Sequence, residues 1–226
     1  MNSIEMVVVG ASLGGLAAVR KILSVLPRNF GPAVAIVQHR RADADSHLPE
    51  ILASSCVLPL IEVEDKEEVR GGCIYLAPAN YHLLFEESTF CLSIDAPVGF
   101  ARPSIDVLFE SAAERYGPAA AAVVLTGSSE DGASGARAIK RAGGVVLVQD
   151  PLDSESPVLP QAAIAAAKVD AVLGISEIGP RLVALCANNS RQGVSAPVAP
   201  PNAFPSRHAP LSSRPVPRTK RKSDRQ

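Results

Sequence analysis

The sequence MVVVGASLGGL, from Met6 to Leu16, is an apolar run that stops at a glycine-rich turn and then continues with helical spacing. It predicts a buried strand, a tight turn that carries Ser12, and a helix that begins near Gly14. Gly10, Ser12 and Gly14 match the pattern G-x-S-x-G, in which glycines allow so sharp a turn that the serine hydroxyl is exposed above a sheet. Ser12 is therefore a candidate nucleophile beside a helix N-terminus, where unpaired N–H groups can stabilise an oxyanion.

The same turn also fits a second kind of site. A glycine-rich turn between a strand and a helix can hold the phosphates of a dinucleotide, and Arg40-Arg41 is a candidate 2′-phosphate site. Short-chain oxidoreductases have a tyrosine followed four residues later by a lysine. No tyrosine of this chain has a lysine at that position, which argues against this class of enzyme. The turn by itself leaves both interpretations open.

The composition divides the chain into two parts. Residues 1–190 are rich enough in apolar residues to form one domain with a sizeable core. Residues 191–226 contain seven prolines, eight lysines or arginines and one acidic residue, which predicts a disordered, proline-rich basic tail. Without this tail the domain is acidic, so we expect no nucleic acid among its partners.

Several classes of protein are excluded by what the sequence lacks. No apolar stretch reaches the roughly 18 to 20 residues of a membrane span, and no signal-like segment begins the chain, so we expect a cytoplasmic protein without membrane insertion. The four cysteines form no C-x-x-C pair, so neither a zinc site nor a disulfide framework is predicted.

Strands and helices alternate along most of the domain. Buried apolar runs at 33–37, 120–125 and 144–149 alternate with helical patterns, which predicts an α/β fold with a doubly wound, mostly parallel sheet and helices on both faces. Three short strands between Gly71 and Ile94 predict a small antiparallel meander at one edge.

Three residues of the kinds found in a catalytic triad follow predicted strands. Ser12 follows the first strand, His39 the second, and Asp131 the strand over 120–125. Because parallel sheets place their sites at the carboxyl ends of strands, these side chains can meet. A hydroxyl that attacks, an imidazole that accepts its proton and a carboxylate that orients the imidazole form a nucleophilic hydrolase site.

Each candidate also has a purely structural interpretation. His39 can be satisfied by backbone groups at the end of a strand, Asp131 can cap a helix, and Glu130 can replace Asp131 in the site. The other histidines, which are His47, His82 and His208, are weaker candidates.

Five blocks of sequence carry a resemblance to a known family. They resemble, in order, the catalytic domain of the CheB-type chemotaxis protein-glutamate methylesterases, over about residues 5 to 187. The blocks are VGASLGG (9–15), VQH (37–39), IYLAP (74–78), RPSIDVLF (102–109) and VLTG…DGASG (124–135).

The resemblance implies hydrolysis of glutamate γ-methyl esters, and deamidation of glutamines, on the cytoplasmic helices of methylated chemoreceptors. Ser12 matches the nucleophile, His39 the general base and acid, and Asp131 the orienting carboxylate. A backbone N–H around Ser128, with help from the Ser12 turn, matches the oxyanion donor. No cofactor and no metal are implied. The resemblance covers no receiver domain, so a separate regulatory protein is the expected regulator.

The chain departs from the family pattern near the site. Leu13 stands where the family usually has threonine, and Ser128-Ser129 replaces a Met-Gly pair. Arg40-Arg41 replaces Met-Pro, and Gly99-Phe100-Ala101 is less basic than usual. A catalytically silent module that binds a receptor or partner on the same fold is therefore the alternative to an enzyme.

Overall fold

The structure, a computed structural model, describes residues 3–40 and 47–187. The strands are β1 (Met6–Ala11), β2 (Ala33–Gln38), β3 (Leu60–Glu62), β4 (Ile74–Leu76), β5 (His82–Glu86), β6 (Thr89–Ser93), β7 (Ala120–Val124), β8 (Val145–Gln149) and β9 (Ala171–Leu173). The helices are α1 (Gly15–Leu23), α2 (Leu48–Ala53), α3 (Ile105–Tyr116), α4 (Ala133–Arg141), α5 (Val158–Ala166) and α6 (Ile175–Cys186). The predicted tail, residues 191–226, lies outside the described residues.

Seven strands form one parallel sheet in the order β3-β4-β2-β1-β7-β8-β9. β1 lies at the centre, with β2 on one side and β7 on the other. The order of the strands along the chain reverses here, which opens a crevice at their carboxyl ends. The predicted doubly wound sheet is confirmed.

The antiparallel part of the fold is smaller than the meander that the sequence predicts. β5 and β6 pair with each other in a separate two-stranded sheet, whereas β4 pairs in parallel with β2 and β3. All three residues of β4 are buried, while β5 and β6 each include partly exposed residues. A strand covered on both faces belongs inside a parallel sheet, so burial decided the partners of β4.

The core consists of two apolar layers, one on each face of the sheet. Successive residues of β1 alternate between them, with Val7 and Val9 on one face and Met6 and Val8 on the other. Helices α1, α2 and α6 cover the first face, and α3, α4 and α5 cover the second. The described residues include no helix with the length and apolar character that crossing a membrane requires.

Candidate active site

The turn between β1 and α1 holds Ser12 by its backbone. The Ser12 N–H donates to the Thr126 carbonyl at 3.0 Å, and the Ser12 carbonyl accepts the Gly15 N–H at 2.9 Å. Gly14 has a φ of 76°, a left-handed conformation that suits glycine. Within the described residues the Ser12 hydroxyl makes no hydrogen bond, so its oxygen is available to a ligand.

The end of β7 lies directly beside this turn. A Cβ atom added to Gly127 would lie 2.9 Å from the Ser12 Cβ and 2.9 Å from Leu159 Cδ2, which is closer than carbon atoms pack. Glycine is therefore required here for the backbone after β7 to approach the Ser12 side chain.

His39 and Asp131, which lie 92 positions apart in the sequence, are hydrogen-bonded through their side chains. His39 Nε2 lies 2.7 Å from Asp131 Oδ2. The side chains are 16% and 1% exposed, respectively, so the pair is largely shielded from water. Because an ionised carboxylate only accepts hydrogen bonds, Nε2 of the neutral ring carries the proton and Nδ1 carries the lone pair.

Asp131 is also held by the first residues of α3. Its Oδ2 accepts the Ile105 N–H at 2.7 Å, and its Oδ1 accepts the Ser104 hydroxyl at 2.7 Å and the Asp106 N–H at 3.0 Å. Burial by itself raises the pKa of Asp131, but the hydrogen bonds from His39, Ser104 and these backbone groups outweigh it and hold the pKa below its ordinary value. The carboxylate is thus ionised and fixed in orientation.

Asp131 and Asp106 cap each other's helices. Asp106 lies in the first turn of α3, and its Oδ1 accepts the N–H groups of Gly132 and Gly135 at 2.9 and 2.7 Å, at the start of α4. Asp131, two residues before the start of α4, caps α3 in return. The sequence allows that Asp131 caps a helix. Asp131 does cap a helix, but this helix is α3 and not α4, which follows it in the sequence. Burial raises the pKa of Asp106 above its ordinary value.

Gln38 links the Ser12 and His39 backbones, a role that sequence reasoning missed. Its Nε2 donates to the Ser12 carbonyl at 2.7 Å and to the His39 carbonyl at 3.2 Å. Its Oε1 is buried and finds no hydrogen-bond partner among the described residues. A glutamine before a histidine has no distinctive spacing, and only the paired ends of β1 and β2 reveal this role.

The other candidates of the sequence analysis lie outside this cluster. Glu130 is exposed, and Asp131 rather than Glu130 contacts His39. His82 is buried, where its Nδ1 accepts the Ser104 N–H and its Nε2 lies 3.2 Å from the Ala96 carbonyl oxygen. His47 occupies the position before α2. His208 lies outside the described residues.

A groove with a volume of about 470 Å³ opens beside His39. It is lined by His39, Arg40, Asn80, Pro97, Phe100, Ala101, Arg102 and Pro103. The described part of the chain contains no group of three or more His, Cys, Asp or Glu residues that could bind a metal ion.

Comparison with known proteins identifies the family to which the chain is similar. The family model described as CheB methylesterase matches residues 7–182. A relative from Leptospira interrogans is 46% identical over 189 residues, which are 83% of this chain and 98% of the relative. A relative from Maricaulis maris, named protein-glutamate methylesterase/protein-glutamine glutaminase, is 34% identical over 79% of this chain, and the match spans 46% of that longer protein.

A solved structure supports the same assignment. The crystal structure of the Thermotoga maritima CheB methylesterase catalytic domain matches with a TM-score of 0.78 and 33% identity, over 81% of this chain and all of that domain. The chain is similar to these proteins in both sequence and fold, and it belongs to the CheB methylesterase family.

Proposed function

We propose that this chain is a serine hydrolase that demethylates glutamate γ-methyl esters, and deamidates glutamines, on the cytoplasmic helices of chemoreceptors. The observation that carries the proposal is the 2.7 Å hydrogen bond between His39 and Asp131, at the same edge of the sheet as the Ser12 hydroxyl, which makes no hydrogen bond to any described residue. Membership of a methylesterase family supports the class of reaction.

Ser12 is the nucleophile in this proposal and His39 the general base. The Ser12 oxygen attacks the ester carbonyl while its proton passes to His39 Nδ1, the ring nitrogen that does not face Asp131. The tetrahedral intermediate expels methoxide, which takes the proton from His39 and leaves as methanol. His39 then takes a proton from a water molecule that attacks the glutamyl ester; the bond between the acyl carbon and the Ser12 oxygen breaks, the Ser12 oxygen takes the proton from His39, and the glutamate is released with a free carboxyl group.

Asp131 acts on His39 rather than on the substrate. Its lowered pKa keeps the carboxylate ionised, so it stabilises the imidazolium that forms when His39 takes the proton. Its bonds to α3 fix the direction from which it contacts the ring. Asp131 can therefore orient the His39 ring throughout the reaction without a change in its own conformation.

Backbone N–H groups beside the Ser12 turn are the best placed to donate hydrogen bonds to the oxyanion. The Ser12 N–H is already bonded to Thr126 and the Gly127 N–H to Ser156, so neither is available. The N–H groups of Leu13 and Ser128 make no hydrogen bond within residues 3–40 and 47–187. We assign these two groups as the oxyanion donors, a role that is independent of the side chains at these positions.

The cellular setting of the proposal follows from the substrate. We place residues 1–190, as the catalytic domain, in the cytoplasm, where the methylated cytoplasmic domain of a chemoreceptor is its partner. A separate regulatory protein is the proposed source of control over its activity.

The direct test is methanol release from a methylated chemoreceptor cytoplasmic fragment. The wild-type chain is expected to release methanol at a rate at least about a thousandfold above that of Ser12→Ala. Ser24→Ala is the matched control, because Ser24 lies at the end of α1 away from the carboxyl edge and its hydroxyl only bonds the Lys21 carbonyl. This control is expected to keep the wild-type rate.

A glutamine-containing version of the same fragment tests the second activity through release of ammonia. Equal methanol release by wild-type protein and Ser12→Ala would contradict the enzymatic proposal. In that case binding of the methylated fragment without turnover would favour the silent module.

A further inference from the structure

A tight hairpin turn projects beside the groove. Val98 and Ala101 form an isolated antiparallel bridge, with N–H to carbonyl distances of 3.1 and 2.9 Å in the two directions. Gly99 and Phe100 are the two central residues, with φ of 56° and 65°, as in the type I′ turns that join tight hairpins. We call residues 97–102 the rim hairpin.

Phe100 occupies a backbone conformation that aromatic residues rarely adopt. Positive φ favours glycine and asparagine, because a larger side chain crowds the backbone there. The side chain gains nothing from packing in return, since Phe100 is fully exposed at 104% of the reference value. Neither the backbone conformation nor packing in the core explains why a phenylalanine occupies this position. A strained, exposed aromatic residue beside a candidate active site indicates a function.

The base of the rim hairpin is rigid. The Arg102 guanidinium donates to Asn80 Oδ1 through Nε and Nη2, at 3.1 and 2.7 Å. Its Nη1 donates to the carbonyls of Ile94 and Asp95 at 2.7 and 2.9 Å. The backbone that presents Phe100 is thus held at its base, so the hairpin backbone loses little conformational freedom when a ligand covers the ring.

The rim hairpin borders the same groove as the general base. Phe100, Pro97, Ala101 and Pro103 give this wall an apolar surface, and His39 belongs to the same lining. The Cβ position of Gly99 is 3.8 Å from the Asp131 Cβ, so the turn also lies beside the side chain of Asp131. A ligand that contacts His39 from this groove lies beside this apolar wall.

We propose that Phe100 is a substrate-docking residue, against which an apolar side chain packs from the same helix that carries the esterified glutamate. This inference rests on the proposed function, because it takes a helical polypeptide as the substrate. On a helix, the neighbours of the esterified residue on the same face lie three and four positions away, about 5 to 6 Å between Cβ atoms. When the ester enters the site, those neighbours remain at the rim and contact Phe100.

The proposal therefore predicts a substrate with apolar residues at three or four positions from each site of methylation. It also predicts that Phe100 contributes to recognition of the polypeptide and contributes nothing to the chemistry at the carbonyl.

The test uses two synthetic helical peptides and a small ester. Both peptides carry one glutamate γ-methyl ester, one with leucine and the other with serine at the positions three and four residues away. N-acetylglutamate γ-methyl ester amide reports the chemistry alone. With Phe100→Asn, an exchange that suits positive φ, we expect kcat/KM to fall about tenfold on the leucine peptide. It should change less than twofold on the serine peptide and on the small ester.

Val57→Asn is the matched control, because Val57 is an exposed apolar residue that precedes β3 at the opposite edge of the sheet. It should leave kcat/KM on all three substrates unchanged. Thermal unfolding of Phe100→Asn should occur at the wild-type temperature or above it, since the exchange removes strain without removing contacts.

The outcomes separate the two proposals. If the wild-type chain hydrolyses none of the substrates, the proposed function fails. If wild-type protein and Phe100→Asn hydrolyse the leucine peptide with the same kcat/KM, the docking inference is overturned and the methylesterase proposal stands. An equal fall on the peptides and the small ester would also overturn it, because Phe100 would then act on the chemistry.

Discussion

The two halves of the candidate site are held in opposite ways. Ser12 is fixed by its backbone, through hydrogen bonds with Thr126, Gly15 and Gln38, and its hydroxyl makes no hydrogen bond within the described residues. Asp131 is fixed by its side chain, since its carboxylate oxygens accept four hydrogen bonds. The hydroxyl of the proposed nucleophile therefore has no bond to break within the described residues, whereas the carboxylate is held on both oxygens.

This difference suits the two proposed roles. A nucleophile must change its bonding during the reaction, so any strong bond to its oxygen would have to be broken first. An orienting carboxylate keeps the same bonds throughout, and preorganised bonds avoid reorganisation during the reaction. We therefore expect substitutions in the Asp131 half to lower both activity and stability, and substitutions in the Ser12 half to lower activity alone.

The largest combined effect is expected for Asp131→Ala. Three donors from the start of α3 and the His39 ring lose their acceptor in a buried place. The free energy of unfolding should fall by about 3 kcal/mol, because buried unpaired donors are costly. Methanol release should fall by about a thousandfold or more, because His39 loses its partner. Urea denaturation and steady-state kinetics measure the two effects, and unchanged stability would contradict the capping role.

Gly127→Ala tests the close approach of the turn after β7. A methyl group would lie 2.9 Å from the Ser12 Cβ, so the turn has to shift by several tenths of an ångström. We expect kcat to fall about 10- to 100-fold, since small displacements of a nucleophile are costly. Gly143→Ala is the control for a destabilising glycine replacement away from the site, because Gly143 lies near Pro118 and has a φ of 84°; it should leave kcat unchanged. Wild-type kcat for Gly127→Ala would show that the turn tolerates the methyl group.

Gln38→Met tests the link between the two halves. The exchange keeps the length of the side chain but removes the donor to the Ser12 and His39 carbonyls. We expect kcat to fall about tenfold, which corresponds to about 1.4 kcal/mol of lost alignment. Stability should change by less than about 1 kcal/mol, because the exchange also removes the buried Oε1, which has no hydrogen-bond partner among the described residues. A loss of stability with kcat unchanged would show that Gln38 has a structural role only.

The capping pair should respond to acid in opposite directions. The folded pKa of Asp131 is below its unfolded value, so its contribution to stability is present above about pH 4 and is lost as the pH falls through the folded pKa. The folded pKa of Asp106 is raised by burial, so its contribution is present at low pH and is lost as the pH rises through that pKa.

Urea denaturation of wild-type protein, Asp131→Asn and Asp106→Asn at pH 7 and pH 3 measures these contributions. The stability difference between wild type and Asp131→Asn should shrink on acidification, and the difference between wild type and Asp106→Asn should not. Parallel behaviour of the two variants would contradict the opposite shifts.

The smallest expected effect is that of Ser12→Ala on stability. Because the hydroxyl makes no hydrogen bond within the described residues, its removal should change the free energy of unfolding by less than about 0.5 kcal/mol. The same variant is nevertheless expected to lose activity. A loss of stability comparable with that of Asp131→Ala would contradict the proposed difference between the Ser12 half and the Asp131 half of the site.

Local patterns predicted the parts of the site that follow from local structure. The glycines around Ser12 predict a sharp turn, and the structure has that turn after β1. Ser104 predicts the start of a helix, and its side chain accepts the Val107 N–H at the start of α3. Both follow from interactions within a few residues, which the sequence displays directly.

Long-range pairings could not be predicted in this way. The partners of β4 depend on which strands leave both of its faces buried, and three apolar residues do not specify them. The bond from Asp131 to the start of α3 joins positions 26 residues apart, and that from Gln38 to Ser12 joins positions with the same separation. No periodicity marks such pairs.

By itself, the sequence determined a parallel sheet, a serine in a sharp turn after its first strand, and a histidine and an aspartate after two others, because the pattern of apolar residues and the conformational freedom of glycine are local properties. Tertiary structure alone decided that Asp131 rather than Glu130 contacts His39, that Asp131 and Asp106 cap each other's helices, and that Phe100 stands exposed beside the groove. These depend on how α3, α4 and the rim hairpin pack against the carboxyl ends of the strands, which is fixed only when the whole core forms.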